Sequence, residues 1–185
     1  IPFIGGLLYA SGFPLLGSDQ LFFLGPLFSC IIIFYYFKVL DLEKVKLKKM
    51  ITSLIFFSIG YYLLGFYWIP FTIKEFGHII FPLNHLLGLF FSLIIVPHFY
   101  ILIFFILVLK FIKNKYQLSF LNKKSYLSLI ISIVLTILEQ IIPQQFPAHI
   151  GHFWLSLTPY LGLAPILGAP IFSFFSIWIS ITILQ

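Results

Sequence analysis

Residues 76–109, FGHIIFPLNHLLGLFFSLIIVPHFYILIFFILVL, decide the fold class because they contain no Lys, Arg, Asp or Glu. An α-helix rises about 1.5 Å per residue and needs about 20 apolar residues to cross the hydrocarbon core of a bilayer. The stretch is longer than one crossing, so part of it is expected to lie at the membrane surface. We predict a helical span over 83–109, with Pro82 at its start and a bend at Pro97.

The rest of the chain has the same apolar character. Of its 185 residues, 61% are hydrophobic, 21% are aromatic and 9% are charged, and the mean hydropathy is +1.12. Soluble domains carry about 25% charged residues, and a soluble fold of this size cannot hide so much apolar surface. Disordered chains are poor in aromatic and branched residues. The composition therefore excludes a cytosolic globular enzyme and a disordered chain, and it indicates an integral membrane protein.

The apolar runs predict an all-α fold, a polytopic transmembrane bundle of about six helices in one domain. The runs are continuous and do not alternate with polar residues, which excludes a membrane β-barrel. Because the chain begins with Ile and stops directly after an apolar run, we expect it to be an excerpt from a longer protein. The predicted spans are 1–11, 20–37, 51–69, 83–109, 125–142 and 166–184.

The positive charge is concentrated in two loops. The chain has 11 basic residues, all of them lysine, against 5 acids, and five lysines fall between 38 and 49 and five between 110 and 124. Cytoplasmic loops of membrane proteins are enriched in basic residues, so we place loops 41–50 and 110–124 in the cytoplasm. Two predicted spans separate these loops, which returns the chain to the same side. Short basic bridges between apolar runs do not suit a nucleic-acid interface, so no nucleic-acid partner is predicted.

Candidate functional residues outside the lysine loops lie on the opposite, outer side. Tyr67 and Trp68 end the third span, where they fit either an aromatic belt at headgroup level or a lipid contact. Glu139 lies near the outer end of the fifth span. A carboxylate at membrane depth must pair, face a wet cavity or sit at the headgroup boundary. The functional alternative for Glu139 is a proton or substrate contact at the rim of a cavity, which is a polar contact in either case.

The sequence contains no visible catalytic or metal-binding apparatus. His149 and His152 are three residues apart but have no neighbouring Cys or carboxylate, which is a weak zinc signal. We therefore predict no metal and no cofactor. Cys30 lies in an apolar run without a base nearby in sequence, so it is not expected to be a nucleophile. His98 follows Pro97, and we expect it to bond a carbonyl that the proline leaves free.

Three stretches, taken in order, resemble the membrane part of bacterial apolipoprotein N-acyltransferases. The first contains a Gly-Phe-Pro turn and the start of the second span. The second is a glycine-containing helix that ends in Tyr-Trp. The third is similar to the family's Leu-Glu-Trp, Gly-Phe-Pro-Trp and Leu-Ala-Pro-x-x-Gly elements. These stretches are residues 12–14 with 21–27, residues 60–68, and residues 138–139 with 146–147 and 154–168.

The third stretch departs from the family pattern at three positions. Gln140 and Ala148 stand where the family usually has Trp, and Gln145 stands where it usually has Gly. These changes affect the expected substrate contacts of the outer loop. They are compatible with a divergent or specialised member of the family.

The resemblance implies an acyltransferase of the bacterial inner membrane. Such an enzyme moves a fatty acyl chain from a phospholipid donor to the N-terminal diacylglyceryl-cysteine of an apolipoprotein. The family's Glu-Lys-Cys triad belongs to a nitrilase-like domain, which would lie downstream of Gln185, so this chain would be the membrane anchor. The resemblance also implies lipid contacts by five outer residues and a polar contact by Glu139. The five are Tyr67, Trp68, Phe146, Pro147 and Trp154.

Two other classes of protein fit an apolar helical chain. A small transporter or channel needs ionisable residues at mid-bilayer, and only His98 and the pair Asn84 and His85 come close. A structural subunit of a membrane complex needs no such residues. The coding sequence beyond Gln185 discriminates these readings, because an acyltransferase requires a soluble catalytic domain there.

The predicted orientation can be tested by cysteine labelling in a Cys30→Ala background. Cysteines introduced at Lys46 or Asn114 should react with a membrane-impermeant thiol reagent only after the cells are permeabilised, because both positions lie in the predicted cytoplasmic loops. A cysteine at Glu75, in the predicted outer loop, should react in intact cells and serves as the control. Labelling of Lys46→Cys and Asn114→Cys in intact cells would contradict the orientation.

Overall fold

The structure is a computed structural model that describes residues 1–14, 21–143, 149–157 and 168–185. These residues form eight α-helices and no strand, which confirms the predicted all-helical bundle. The helices are α1 (Pro2–Ser11), α2 (Gly25–Phe37), α3 (Leu47–Gly65), α4 (Ile69–Gly77), α5 (Leu83–Ile94), α6 (Pro97–Tyr116), α7 (Lys124–Ile141) and α8 (Ala169–Thr182). Short 3-10 helices lie at Leu42–Lys44, Ser119–Asn122 and Ile150–Leu157.

Three of these helices, α3, α6 and α7, are long and apolar enough to cross a membrane. Helices α1, α2, α5 and α8 are apolar but shorter. Helix α8 packs against both α7 and α2, and the Ser180 hydroxyl on α8 donates a hydrogen bond of 3.2 Å to the Leu27 carbonyl oxygen on α2. The described part of the chain is therefore a bundle of apolar helices suited to a bilayer.

The prediction of one bent helix over 83–109 is wrong. Helix α5 ends at Ile94 and α6 begins at Pro97. Proline lacks an N–H and clashes with the preceding turn, whereas its fixed φ suits the first turn of a new helix. Pro97 therefore starts a helix here and does not bend one. Pro82 directly precedes α5, as expected.

The predicted outer loop at 70–81 also contains a helix, α4. The third span predicted over 51–69 stops before Pro70, but this proline lies in the first turn of α4, where proline is well tolerated. Helix α4 ends at Gly77, and His78 adopts a left-handed conformation with a φ of 54°. With this helix and the break before Pro97, the described residues contain eight helices where about six spans were predicted for the chain.

The ends of the other helices differ from the predicted spans by a few residues. Helix α3 begins at Leu47 and not at residue 51, so it includes Lys48 and Lys49 in its first turn. Lysine is a good helix former, and a helix can continue beyond the apolar core of the membrane. Helix α2 begins at Gly25, with Pro26 in its first turn, and not at residue 20. The proline-led start of α2 follows the same rule as that of α6.

The two lysine-rich loops meet at one end of the bundle. The Lys110 ammonium donates hydrogen bonds to the carbonyl oxygens of Glu43 and Val45, at 3.2 and 3.0 Å. Lys113 forms an ion pair with the Glu43 carboxylate at 2.9 Å. We call the end formed by residues 38–50 and 110–124 the lysine face. The two loops of the lysine face lie on the same side of the bundle. This is the arrangement expected when the chain crosses the membrane an even number of times between them.

Helices α1 and α3 cross at backbone contact. A Cβ added to Gly6 would collide with the Phe57 carbonyl on α3, and one added to Gly60 would collide with the Phe3 carbonyl on α1. Small residues allow such close approach between membrane helices. The Tyr9 ring then packs against the Phe57 ring, with centroids 5.6 Å apart. The absence of two side chains thus fixes the position of the short helix α1.

Replacement of Gly60 by alanine should destabilise the bundle by about 1–3 kcal/mol, because the new methyl group forces α1 away from α3. Gly65→Ala on the same helix is the matched control, since its Cβ would lie 3.5 Å from the nearest atoms, an ordinary contact distance. Thermal unfolding in detergent should show a lower melting temperature for Gly60→Ala only. Equal melting temperatures for both variants would show that the crossing does not depend on Gly60.

Candidate functional site

The candidate site lies at the end of the bundle opposite the lysine face, which we call the distal end. Helices α3 and α7 both begin at the lysine face, so their C-terminal residues, including Gly65 and Glu139, lie at the distal end. The 3-10 helix Ile150–Leu157 follows α7 along the chain and packs against α8. The predicted outer residues that the structure describes are therefore at one end of the molecule.

Glu139 is almost completely buried, with 1% of its surface exposed. Its Oε1 accepts a hydrogen bond of 2.8 Å from the backbone N–H of Ile150. The Ser173 hydroxyl on α8 also hydrogen-bonds the carboxylate, and this hydroxyl accepts a bond of 2.9 Å from the Gly151 N–H. Two successive N–H groups of the 3-10 helix are thus satisfied by side chains of α7 and α8. The carboxylate holds the segment after α7 in place.

Gly151 contributes to this attachment by its lack of a side chain. A Cβ at Gly151 would collide with the backbone nitrogen of Ser173. The segment can therefore lie directly against α8, which brings the Gly151 N–H within reach of the Ser173 hydroxyl. The position of Glu139 in the sequence suggested a polar contact, and the contacts described are with the Ile150 N–H and the Ser173 hydroxyl.

Trp154 is half-buried and bonded to the bundle by its indole N–H. Its Nε1 donates a hydrogen bond of 2.7 Å to the Ser176 hydroxyl on α8. The Trp154 ring meets the Phe23 ring edge to face at 5.5 Å, and the neighbouring ring of Phe153 is fully buried against Phe23 at 5.4 Å. A ring with an apolar body and a satisfied N–H suits the boundary between protein, lipid and water.

The structure adds Tyr9 and Cys30 to the surroundings of Glu139. Both side chains are fully buried and lie close enough to interact electrostatically with the Glu139 carboxylate. They come from α1 and α2, far from Glu139 in sequence, so no local motif could indicate them. Cys30 is a free thiol, and its complete burial supports the expectation that it is not a nucleophile.

His149 and His152 lie close together at the start of the segment after α7. The His149 and His152 rings are 4.6 Å apart, and partial burial lowers the pKa of His149 from its usual value. The predicted bond of His98 to a carbonyl is wrong, because neither ring nitrogen has a hydrogen-bond partner among the described residues. Within the described ranges, no group of three or more His, Cys, Asp or Glu residues is arranged to hold a metal ion.

Tyr67 and Trp68 lie in the turn between α3 and α4. The Tyr67 side chain is exposed, whereas Trp68 is half-buried and packs against Phe66, with centroids 6.4 Å apart. Phe66 meets Tyr61 at 5.1 Å, and Tyr61 meets Tyr9 at 4.9 Å. A row of aromatic rings therefore leads from Trp68 into the bundle, to the tyrosine beside the buried carboxylate.

Helices α4 and α5 form an apolar pair at the distal end. The Asn84 amide on α5 donates a buried hydrogen bond of 3.1 Å to the Pro70 carbonyl oxygen on α4, and Gly88 lies against Tyr62 of α3. At about 1.5 Å per residue, α5 is too short to cross the bilayer. Exposed large apolar residues lie on both helices, among them Phe71 and Phe76 on α4 and Phe90 on α5.

Two predicted lipid contacts, Phe146 and Pro147, lie outside the described residues, as do Gln145 and Ala148. Gln140, where the family pattern has Trp, is exposed at the end of α7. The structure thus connects Glu139 on α7 to the 3-10 segment that contains Trp154. Tyr67 and Trp68 lie in a separate turn at the same end of the bundle.

The fold and this distal site define a helical membrane domain. In the comparison with protein families, the model described as "Apolipoprotein N-acyltransferase N-terminal domain" matches residues 5–182. The chain therefore belongs to that family, as its motifs suggested. No curated protein and no solved structure matches the chain in the corresponding searches.

Glu139→Ala should loosen the segment over residues 150–157, because the Ile150 N–H loses its acceptor. An unsatisfied buried donor costs about 1–3 kcal/mol. Hydrogen exchange measured by mass spectrometry should therefore be faster in this segment. Glu139→Gln keeps an oxygen acceptor and should be affected less, and Gln140→Ala, at an exposed neighbouring position, is the control. Unchanged exchange in Glu139→Ala would contradict the positioning role.

Proposed function

We propose that this chain is the membrane domain of an enzyme that transfers a fatty acyl chain from a phospholipid to the N-terminal diacylglyceryl-cysteine of lipoproteins. The observation that carries the proposal is the family match over residues 5–182. The resemblance implies a Glu-Lys-Cys triad in a nitrilase-like domain outside these residues. Its thiolate would attack an ester of the phospholipid and form a thioester, with release of the lysophospholipid. The amine of the lipoprotein would then attack this thioester and release the thiol, so that acyl transfer is divided into two half-reactions.

The proposed contribution of this chain is to receive two lipid substrates from the plane of the membrane. Both substrates carry long acyl chains, which require contact either with lipid or with an apolar protein surface that replaces it. The distal end offers such a surface in the exposed sides of α4 and α5. We propose that Tyr67, Trp68 and Trp154, together with Phe146 and Pro147, contact these acyl chains.

We propose a positioning role for Glu139 and no part in the chemistry. Its carboxylate bonds the Ile150 N–H, four residues before Trp154 along the same 3-10 helix. The Ser176 hydroxyl on α8 bonds Trp154 itself. The indole would therefore be held at a defined depth, which a lipid contact close to a catalytic thiol requires.

The proposed location is the bacterial inner membrane, with loops 41–50 and 110–124 in the cytoplasm. The concentration of lysines in these loops supports this orientation. The contacts of Lys110 and Lys113 with Glu43 support a common side for both loops. The distal end would then face the outer side, where the acyl acceptor of an exported lipoprotein is presented.

The proposal is tested by tryptophan replacements in the intact enzyme, followed by acylation of a lipoprotein in native membranes. Trp68→Ala and Trp154→Ala should each slow acylation about tenfold, equivalent to about 1.4 kcal/mol of lost transition-state stabilisation. Trp178→Ala is the matched control, because Trp178 lies near the other end of α8 and stacks on Phe174 at 6.2 Å.

A further variant separates lipid contact from structural support. Trp154→Phe loses the hydrogen bond to Ser176 but keeps an aromatic ring, so it should retain most of the acylation rate if the ring contacts lipid. Equal membrane levels of all variants must be verified by immunoblot. Unchanged acylation in Trp68→Ala and Trp154→Ala would remove both residues from the substrate surface, and no acylation by the unaltered enzyme would refute the proposed function.

A further inference from the structure

A cavity of about 220 Å³ lies at the lysine face, remote from the distal end. It is formed where α2 ends, where α7 begins and where the chain leaves α8. Ligand sites that enclose a whole small molecule usually have volumes of about 300–1,000 Å³. This cavity therefore fits a polar headgroup better than a complete lipid or metabolite.

The polar part of the cavity wall is basic. Three lysines, Lys38, Lys44 and Lys124, line it together with one acid, Asp41. Asp41 is engaged by Lys44 in an ion pair of 2.8 Å. Lys38 and Lys124 form no ion pair with an acidic side chain in the part of the chain that the structure describes. Lys124 donates a hydrogen bond of 3.1 Å to the main-chain oxygen of Gln185, so Lys38 and Lys124 are both without a side-chain carboxylate partner among the described residues.

The beginning of α7 adds further positive potential. This helix has no side-chain cap at its N-terminus and no acidic residue in its first turn. The first N–H groups of a helix lack partners and carry the positive end of the helix dipole. The positive charges of Lys123 and Lys124 are therefore repelled by the N-terminus of α7, and an anion bound beside this helix end would offset the repulsion.

Lys38 occupies a backbone conformation that does not favour lysine. It ends α2 with a φ of 55° and a ψ of 41°, the left-handed region that glycine and asparagine adopt most readily. Its ammonium lies 3.9 Å from the centroid of the Tyr35 ring. The presence of lysine in this strained backbone conformation is consistent with a role for its positive charge at the cavity.

The rest of the wall is apolar. Phe34 is fully buried and Val39 is nearly so, and Leu40 and Leu184 complete this part of the cavity. An apolar floor beneath lysines, at the ends of membrane helices, matches a lipid that places its phosphate among the lysines and its acyl chains in the bilayer. Basic pockets between membrane helices are known to take anionic headgroups.

We propose that this cavity binds the phosphate-bearing headgroup of an anionic phospholipid. The lipid lies in the leaflet at the lysine face, so it is distinct from the acyl donor proposed for the distal end. The proposal does not depend on the proposed function. It requires only that the chain spans a membrane with the lysine face in one headgroup layer.

The test is native mass spectrometry of the full-length protein in detergent with added phosphatidylglycerol, phosphatidylcholine or inorganic phosphate. Phosphatidylglycerol should bind more tightly than phosphatidylcholine. Lys38→Asn should weaken its binding about fivefold, which corresponds to about 1 kcal/mol for one lysine near a membrane surface. Asparagine tolerates the left-handed conformation, so this variant should keep its fold and melting temperature. Lys115→Asn, which removes the same charge from the lysine face outside the cavity, should bind phosphatidylglycerol like the unaltered protein.

Three outcomes would overturn the proposal. Equal weakening in Lys38→Asn and Lys115→Asn would indicate general attraction to the lysine face and not a site. Equal affinity for phosphatidylcholine would show that the negative charge of the lipid is not recognised. Displacement of the lipid by millimolar inorganic phosphate would indicate a site for a soluble anion. An altered acylation rate is not a readout, which keeps this test separate from that of the proposed function.

Discussion

The hydrogen bond from the Ile150 N–H to the buried Glu139 carboxylate is the interaction on which the distal end depends. A carboxylate inside a membrane bundle is stable only with strong partners, and a chain segment at the membrane boundary must satisfy its own N–H groups. The Ile150 N–H supplies a partner for the carboxylate, and the carboxylate supplies an acceptor for this N–H. Ser173 extends the same arrangement to Gly151, so that one acid and one hydroxyl fix the segment that carries Trp154.

The sequence predicted the class of fold because the bilayer imposes simple rules on length and charge. The apolar runs located most of the helices, and the lysines located the two loops that meet at Glu43. Proline was the source of both errors in the helix count. Pro70 and Pro97 were interpreted as an end and a bend, yet each lies in the first turn of a helix. The sequence alone does not distinguish these uses of proline, because the outcome depends on how the next helix packs.

The site was predictable only in part. Glu139 could be selected because an acid near the end of an apolar span is unusual. Its partners could not be selected, because the contacts with Ile150 and Ser173 arise from tertiary packing between α7, α8 and the segment between them. The glycines show the same limit. Gly60 and Gly65 are five residues apart, which is not the four-residue spacing typical of contacts between membrane helices, and yet Gly60 lies at the crossing of α3 with α1, as Gly6 does.

The short helix α5 has a consequence for the membrane itself. Together with α4 it lies beside the distal end of α3 and is too short to reach the lysine face. In a bilayer this helix pair would therefore contact the lipid of the distal leaflet and leave the opposite leaflet to the longer helices α3, α6 and α7.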